Sequence, residues 1–314
     1  IGRNAIKEGY VGAIIVAGGQ GTRLGFPHPK GCFPITKVKK KSLFQLVTEK
    51  MLACGNRVQK QLHMAIMTSQ DNDFETNKFF KDNAYFGAKE EQVQFFCQPN
   101  LPFLSSEGNL LLKSKSTIAE GPDGNGSTLS AFIKSSLFSK WNMLGIRYAL
   151  FTLIDNPLAD PFDEELVGRL IQGKCDCVIK AIERKSHDEK VGLIVQEEGK
   201  TKVIEYTEFP DALKLQREGD ELLFKAANIS LFCLSMGFIE RIGSQSLPLH
   251  KSWKQADLLG PTEIWKFERF IFDMLPFAKN IDTVMYPRDI CFSPLKNAFG
   301  EGSPETAQND LIRS

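Results

Sequence analysis

"VAGGQGTRLGFPHPKG", residues 16–31, packs five glycines, Arg23, Lys30 and two prolines into sixteen positions. It follows Tyr10-Val11-Gly12-Ala13-Ile14-Ile15, an apolar run that reads as a buried strand. Two familiar phosphate loops fail on spacing. A dinucleotide turn wants G-x-G-x-x-G, but after Gly19 and Gly21 the third glycine comes one residue late, at Gly25. A Walker loop wants G-x-x-x-x-G-K-[ST], and no such run is present here. A strand feeding a glycine-rich turn remains. Bare backbone lets successive N–H groups turn toward an anion or a base edge. Arg23 adds a planar fork for phosphate oxygens and Lys30 a mobile point charge. A plain turn with two solvated cations is the bland alternative.

Working outward, strand and helix patterns alternate. Ser42–Cys54 carries Leu43, Phe44, Leu46, Val47, Met51 and Leu52 at helical spacing, with Ser42 placed as N-cap. His63–Met67 and Gln92–Phe96 read as strands around a helix near Asp71–Phe80. Thr128–Trp141 reads as a helix and Arg147–Ile154 as the longest strand. This alternation predicts an α/β fold with a mostly parallel sheet flanked by helices. Beyond Cys177 the texture changes. Val178–Ile182, Val191–Gln196, Val203–Tyr206 and Leu222–Leu234 suggest an antiparallel extension. A helix near Ile264–Phe277 and an extended Val284–Phe292 follow. The polar residues 298–314 read as a solvated tail.

Further along stand the other patches a ligand could use. Gly121-Pro122-Asp123-Gly124-Asn125-Gly126-Ser127 opens a helix with exposed N–H groups. Gln98, whose amide can pair with both a donor and an acceptor of a base edge, lies between the two glycine loops. Asp155 sits at the carboxyl end of the long strand, where open α/β sheets bind ligands.

The run Gly18-Gly19-Gln20-Gly21-Thr22-Arg23-Leu24-Gly25, followed by Pro29-Lys30-Gly31, resembles the signature of UDP-sugar pyrophosphorylases. It is most similar to UDP-N-acetylhexosamine pyrophosphorylases, among them those making UDP-N-acetylglucosamine. The resemblance implies a Rossmann-like nucleotidyltransferase fold. The nucleotide-binding part would span about 10–160 and the sugar-binding part about 161–297. By the same resemblance Val16, Ala17, Gly18, Gly19, Lys30, Gln98, Gly124, Asp155 and Lys266 hold the nucleotide. Asn125, Glu205, Tyr206, Asn228 and Lys296 would hold the sugar substrate and product diphosphate. Asp155 would take Mg²⁺ beside the substrate phosphates, the usual arrangement for a hard oxygen ligand.

Three departures from the family pattern stand out, and the last two lie near the expected sugar wall. Ser127 replaces the family's final glycine, Ala227 another glycine, and Pro157–Pro161 is shorter than its counterpart. Members typically carry more sequence at both ends.

Bulk properties exclude other classes. The net charge is +1 over 314 residues, so nothing favours nucleic acid or an acidic membrane. No stretch approaches the ~20 apolar residues of a membrane span. The seven cysteines follow no disulfide or zinc spacing. With no signal-peptide pattern, the expectation is a cytoplasmic enzyme. The resemblance implies UTP and a sugar 1-phosphate as substrates, with Arg23 and Lys30 catalytic. Glucose 1-phosphate or a broader sugar set is the nearest alternative. A non-catalytic UDP-sugar-binding relative is the other. Oligomeric state is not encoded in any readable feature.

Overall fold

The structure is a computed structural model, and it describes residues 1–313. In chain order the elements are α1 (Gly2–Lys7), β1 (Val11–Val16), α2 (Leu43–Val58), β2 (His63–Thr68), α3 (Asp73–Asp82) and β3 (Val93–Cys97). Four short strands follow: β4 (Asn100–Pro102), β5 (Leu112–Ser114), β6 (Thr117–Ile118) and β7 (Glu120–Pro122). Then come α4 (Thr128–Lys134), α5 (Leu137–Met143), β8 (Tyr148–Leu153), α6 (Glu164–Gly173), β9 (Cys177–Glu183), β10 (Leu193–Glu197) and β11 (Lys200–Ile204). The last set is α7 (Asp211–Lys214), β12 (Arg217–Glu218), β13 (Glu221–Leu222), β14 (Ala226–Ser235), α8 (Met236–Gly243), β15 (His250–Asp257), β16 (Pro261–Glu268), β17 (Ile281–Tyr286), α9 (Arg288–Cys291) and α10 (Pro304–Arg313).

Nine strands form one sheet, with β11-β10-β14-β8-β1-β2-β3 in line and β9 and β17 attached through β14. β8, β1, β2 and β3 are mutually parallel. β14 runs against β8, β9 and β10, and β11 runs against β10, while β17 is parallel to β9. Only β14 and β11 therefore oppose the common direction. Because β14 pairs with β8, the expected nucleotide and sugar halves share one sheet.

Alternation along β1 divides the core. Ala13 and Ile15 enter one apolar layer with Phe44, Met51 and Leu166, from α2 and α6. Ile14 enters the other, with Phe132, Trp141 and Ile239 from α4, α5 and α8. A strand covered on both faces is apolar throughout, and β1 reads that way. Ser42 caps α2 by accepting from the Gln45 amide at 3.0 Å, a contact worth about 1 kcal/mol.

Five expectations change. Thr128–Trp141 is two helices, broken where Ser136 takes a left-handed φ of 67°. Leu222–Leu234 splits into β13 and β14, and only the first part of Val284–Phe292 is extended, as β17. Ile264–Phe277 is not one helix. Its first half is β16, paired along its length with β15, and a 3₁₀ turn over Ile271–Phe277 follows. Trp253 and Trp265 face each other across that hairpin at 4.7 Å, and such cross-strand aromatic pairs stabilise two-stranded ribbons. Finally, residues 298–314 are not a solvated tail as far as they are described. α10 buries Ala307 completely and packs Leu311 on the core. Ser293 donates to Asp310 at 2.6 Å and Lys37 to Asn309 at 3.0 Å.

Candidate active site

The carboxyl ends of β1, β2, β3 and β8 lie along one edge of the sheet. The Ala17 amide donates to Met67 at 2.8 Å, Ile154 to Val16 at 3.0 Å and Gln98 to Thr68 at 2.9 Å. These bonds bring Gly18, Gln98 and Asp155, which are far apart in sequence, to neighbouring strand ends.

The first glycine loop is closed on itself. The Lys30 amide donates to Gly19 and the Gly21 amide to His28, at 3.1 and 3.0 Å. Asn72, buried before α3, donates to the Ala17 carbonyl at 2.9 Å and accepts from Ser69 at 2.8 Å. No expectation fell on Asn72; its position just before α3 was the only signal. A Cβ at Gly18 would lie 2.3 Å from the Gln98 amide nitrogen, so a side chain there would displace that amide. Gln98 itself is 5% exposed. Thus a bare backbone and a buried amide form one polar ledge. His28 pairs with Glu75, and both side chains are exposed. Arg23 and Lys30 make no side-chain hydrogen bond or ion pair among the described residues. Two cations left without protein partners suit an anionic ligand.

The second loop is held from below. Gly124 takes φ 85°, and a Cβ there would meet the Arg269 carbonyl at 2.4 Å. The Asp123 carboxylate is fully buried between the Ser127 hydroxyl at 2.6 Å and Arg269 Nη1 at 3.2 Å. Burial raises its pKa, and these two partners oppose the rise. Ser127, one of the three departures, is therefore one of the two side-chain donors to this carboxylate. Asn125 uses its side-chain oxygen to accept from the Ile271 amide at 2.9 Å, leaving its NH₂ for a ligand. Neither Asp123 nor Arg269 was expected to matter. The pair joins residues 146 apart, and no local pattern reveals it.

Asp155 and Lys296 are joined by a seam. The Leu295 amide donates to the Asp155 carbonyl at 2.7 Å. Buried Asn156 donates to Cys291 at 2.8 Å and accepts from the Ser293 amide at 3.0 Å. The Asp155 carboxylate has no protein partner among the described residues.

A cleft of about 1170 Å³ opens beside this seam, and Arg23, Tyr206 and Lys296 all line it. Glu205 lies within electrostatic reach of Lys296. Burial raises its carboxyl pKa and Lys296 pulls the other way. Asn228 adjoins the wall through its amide, which donates to Gly192 at 2.8 Å. Its side chain accepts from Ser230 at a bulge in β14. Lys185, Lys190, Arg288 and Arg313 also line the cleft and were not expected. Arg288 pairs with Glu189 at 2.6 Å and Lys185 with Glu301 at 3.0 Å. Arg313 belongs to α10, so the supposed tail is a wall of the cleft.

Of the expected residues only Arg23, Tyr206 and Lys296 line this cleft; Lys30, the glycine-loop and Gln98 positions, Asn125, Asp155, Glu205, Asn228 and Lys266 do not. Lys266 sits on β16 with its ammonium 3.1 Å from Glu268. The two other departures lie off the cleft wall. Ala227 is fully buried with Ile182 and Ile229. Leu158 and Ala159 are buried, and Lys50 donates to the Pro157 and Ala159 carbonyls at 2.7 and 2.8 Å.

A polar ledge at the carboxyl edge of a parallel sheet, beside a cleft lined by Arg23 and Lys296, suits a nucleotidyltransferase. The family model for UTP–glucose-1-phosphate uridylyltransferase matches residues 10–299. A Schizosaccharomyces pombe protein named "Probable UDP-N-acetylglucosamine pyrophosphorylase" is 34% identical over 99% of this chain and 72% of its own length. The UDP-N-acetylglucosamine pyrophosphorylase of Saccharomyces cerevisiae is 33% identical over 98% of this chain and 69% of its own. The crystal structure of the Trypanosoma brucei enzyme of the same name, with an inhibitor, superposes with a TM-score of 0.92. It is 32% identical, covering all of this chain and 67% of that one. The chain belongs to this uridylyltransferase family and groups with its UDP-N-acetylglucosamine pyrophosphorylases.

Proposed function

We propose that the chain joins UTP to N-acetylglucosamine 1-phosphate, giving UDP-N-acetylglucosamine and pyrophosphate. The observation that carries this reading is the meeting of Arg23, Tyr206 and Lys296 in one cleft beside the Gly18–Gln98 ledge. A phosphate monoester is largely dianionic at neutral pH, its second pKa being ≈ 6. Its oxygen therefore attacks the α-phosphorus without a protein base. The new P–O bond forms as the bond to the bridging oxygen breaks, and pyrophosphate leaves with that electron pair.

The protein's work is positioning and charge neutralisation. Gly18, Gly19, Gln98 and Gly124 seat the uridine, and Val16 and Ala17 set the loop's origin. Arg23 and Lys30, free of protein partners, take the leaving pyrophosphate, and Lys296 holds phosphate charge from the opposite wall. Asn125, Glu205, Tyr206 and Asn228 take the sugar. Lys266 reaches the phosphates only by leaving Glu268. The unpartnered Asp155 carboxylate fits Mg²⁺, a cation that keeps waters and takes few protein oxygens. Magnesium bound there would neutralise phosphate charge.

The same reading places the enzyme in the cytoplasm, supported by seven cysteines standing as free thiols, six of them buried. No helix among the described residues is long and apolar enough to cross a membrane.

Pyrophosphate release with UTP, Mg²⁺ and each sugar 1-phosphate tests the proposal. Faster release with N-acetylglucosamine 1-phosphate supports it, and faster release with glucose 1-phosphate would move the sugar assignment. UDP-sugar binding without release from any sugar would make the chain a binding relative.

A further inference from the structure

His250, at the start of β15, lies behind the sugar wall with both ring nitrogens against carboxylates. Nε2 is 2.8 Å from Asp273 Oδ2 and Nδ1 is 3.3 Å from Glu208 Oε1. Ionised carboxylates only accept hydrogen bonds, so holding both at once requires a proton on each nitrogen, the imidazolium form. The ring is further fixed by Phe270, whose centroid is 4.7 Å away. Glu208 ends the Glu205–Glu208 turn, in which its own amide donates to the Glu205 carbonyl at 2.9 Å. That turn carries Tyr206 to the cleft.

The surrounding charges agree with this state. Glu268, the register partner of His250 on β16, is engaged by Lys266. Arg269 is turned to Asp123. On its own strand Lys251 points over the Trp265 ring. Glu205 feels His250, Asp273, Glu208 and Lys296 together. Burial by itself would lower the His250 pKa, but Asp273 and then Glu208 outweigh it and hold the pKa above the ordinary value.

We infer that His250 is a positioning residue for the sugar half of the site: its imidazolium ties Glu208 to Asp273, holds the Glu205–Glu208 turn at the cleft, and makes sugar 1-phosphate binding depend on one proton. The inference rests on the assignment of Glu205 and Tyr206 to the sugar. With a raised pKa the clamp is closed below that value and opens as pH rises through it.

The test measures KM for N-acetylglucosamine 1-phosphate and for UTP between pH 6.5 and 9, in the wild type, His250→Gln and His250→Arg, with the Tm of each. In the wild type the sugar-phosphate KM should rise on the order of tenfold with pH, as one charged hydrogen bond is lost, while the UTP KM stays level. His250→Gln should show the high KM at every pH. His250→Arg, a permanent cation able to reach both carboxylates, should keep the low KM with no pH dependence. A His250→Gln profile matching the wild type would overturn the inference, as would equal changes in both KM values. Calorimetric binding of UDP-N-acetylglucosamine at the same pH values reads the clamp without turnover. A pH-dependent affinity in an inactive protein would leave the clamp standing and remove the proposed reaction. A flat affinity in the active wild type would do the reverse.

Discussion

Arg269 grips Asp123 twice: its guanidinium lies 3.2 Å from the Asp123 carboxylate, and its amide donates to the Asp123 carbonyl at 2.6 Å. The Gly126 amide returns the contact, donating to the Arg269 carbonyl at 2.9 Å. The base loop is therefore placed by a residue far along the chain, three positions after Lys266. Arg269→Met leaves a fully buried carboxylate with only Ser127. The expected loss is on the order of 2–3 kcal/mol, below that of a wholly buried pair because Arg269 is partly exposed. Urea denaturation measures it, and the UTP KM should rise with it. An unchanged KM would separate the pair from the nucleotide.

Ser127→Gly restores the residue that the family resemblance leads one to expect, yet removes the hydroxyl from Asp123. A loss of about 1 kcal/mol is expected, with UTP still bound. Chemical denaturation against the wild type decides it. A gain in stability would show the hydroxyl to be dispensable.

Arg23 holds no other part of the protein. Arg23→Ala should leave Tm unchanged and lower turnover on the order of 10²–10³, by analogy with other preorganised charge donors. UDP-sugar binding, followed by calorimetry, should change much less. Parallel losses in turnover and binding would count against a role at the leaving group.

Lys50 is lowered from 10.5 to about 8 by burial, with Asp160 opposing the shift. A base whose folded pKa is depressed binds fewer protons folded than unfolded. Its contribution to stability therefore increases as pH rises from about 8 to 10.5, by no more than about 1.4 kcal/mol per pH unit. The stability difference between wild type and Lys50→Met should widen over that window in urea titrations. A constant difference would mean that Lys50 titrates normally.

Much of this was legible in the sequence, and the failures have physical reasons. β1 and its loop were readable because a doubly covered strand is apolar throughout and few other uses exist for so many glycines beside two cations. Ser42 announced α2 because a cap is a local device. The hairpin of β15 and β16 was misread since Ile264, Phe267 and Ile271 also satisfy a helical period, and tertiary pairing chose the strand. α10 was taken for a tail because a single short stripe, Ala307 and Leu311, docks an otherwise polar helix. The Asp123–Arg269 and His250–Asp273 contacts had no readable signal, being fixed only when distant segments pack.

The hydrogen bonds between Asp155–Asn156 and Cys291–Leu295 make two binding assignments, Asp155 and Lys296, a single inheritance unit. A substitution that shifts the chain at Ser293 or Leu295 to resize the pocket around Lys296 drags the Asp155 backbone with it. Attempts to retune the enzyme for bulkier sugars should therefore begin at the Glu205–Glu208 side, where the wall hangs on side chains, and leave the opposite wall as scaffold.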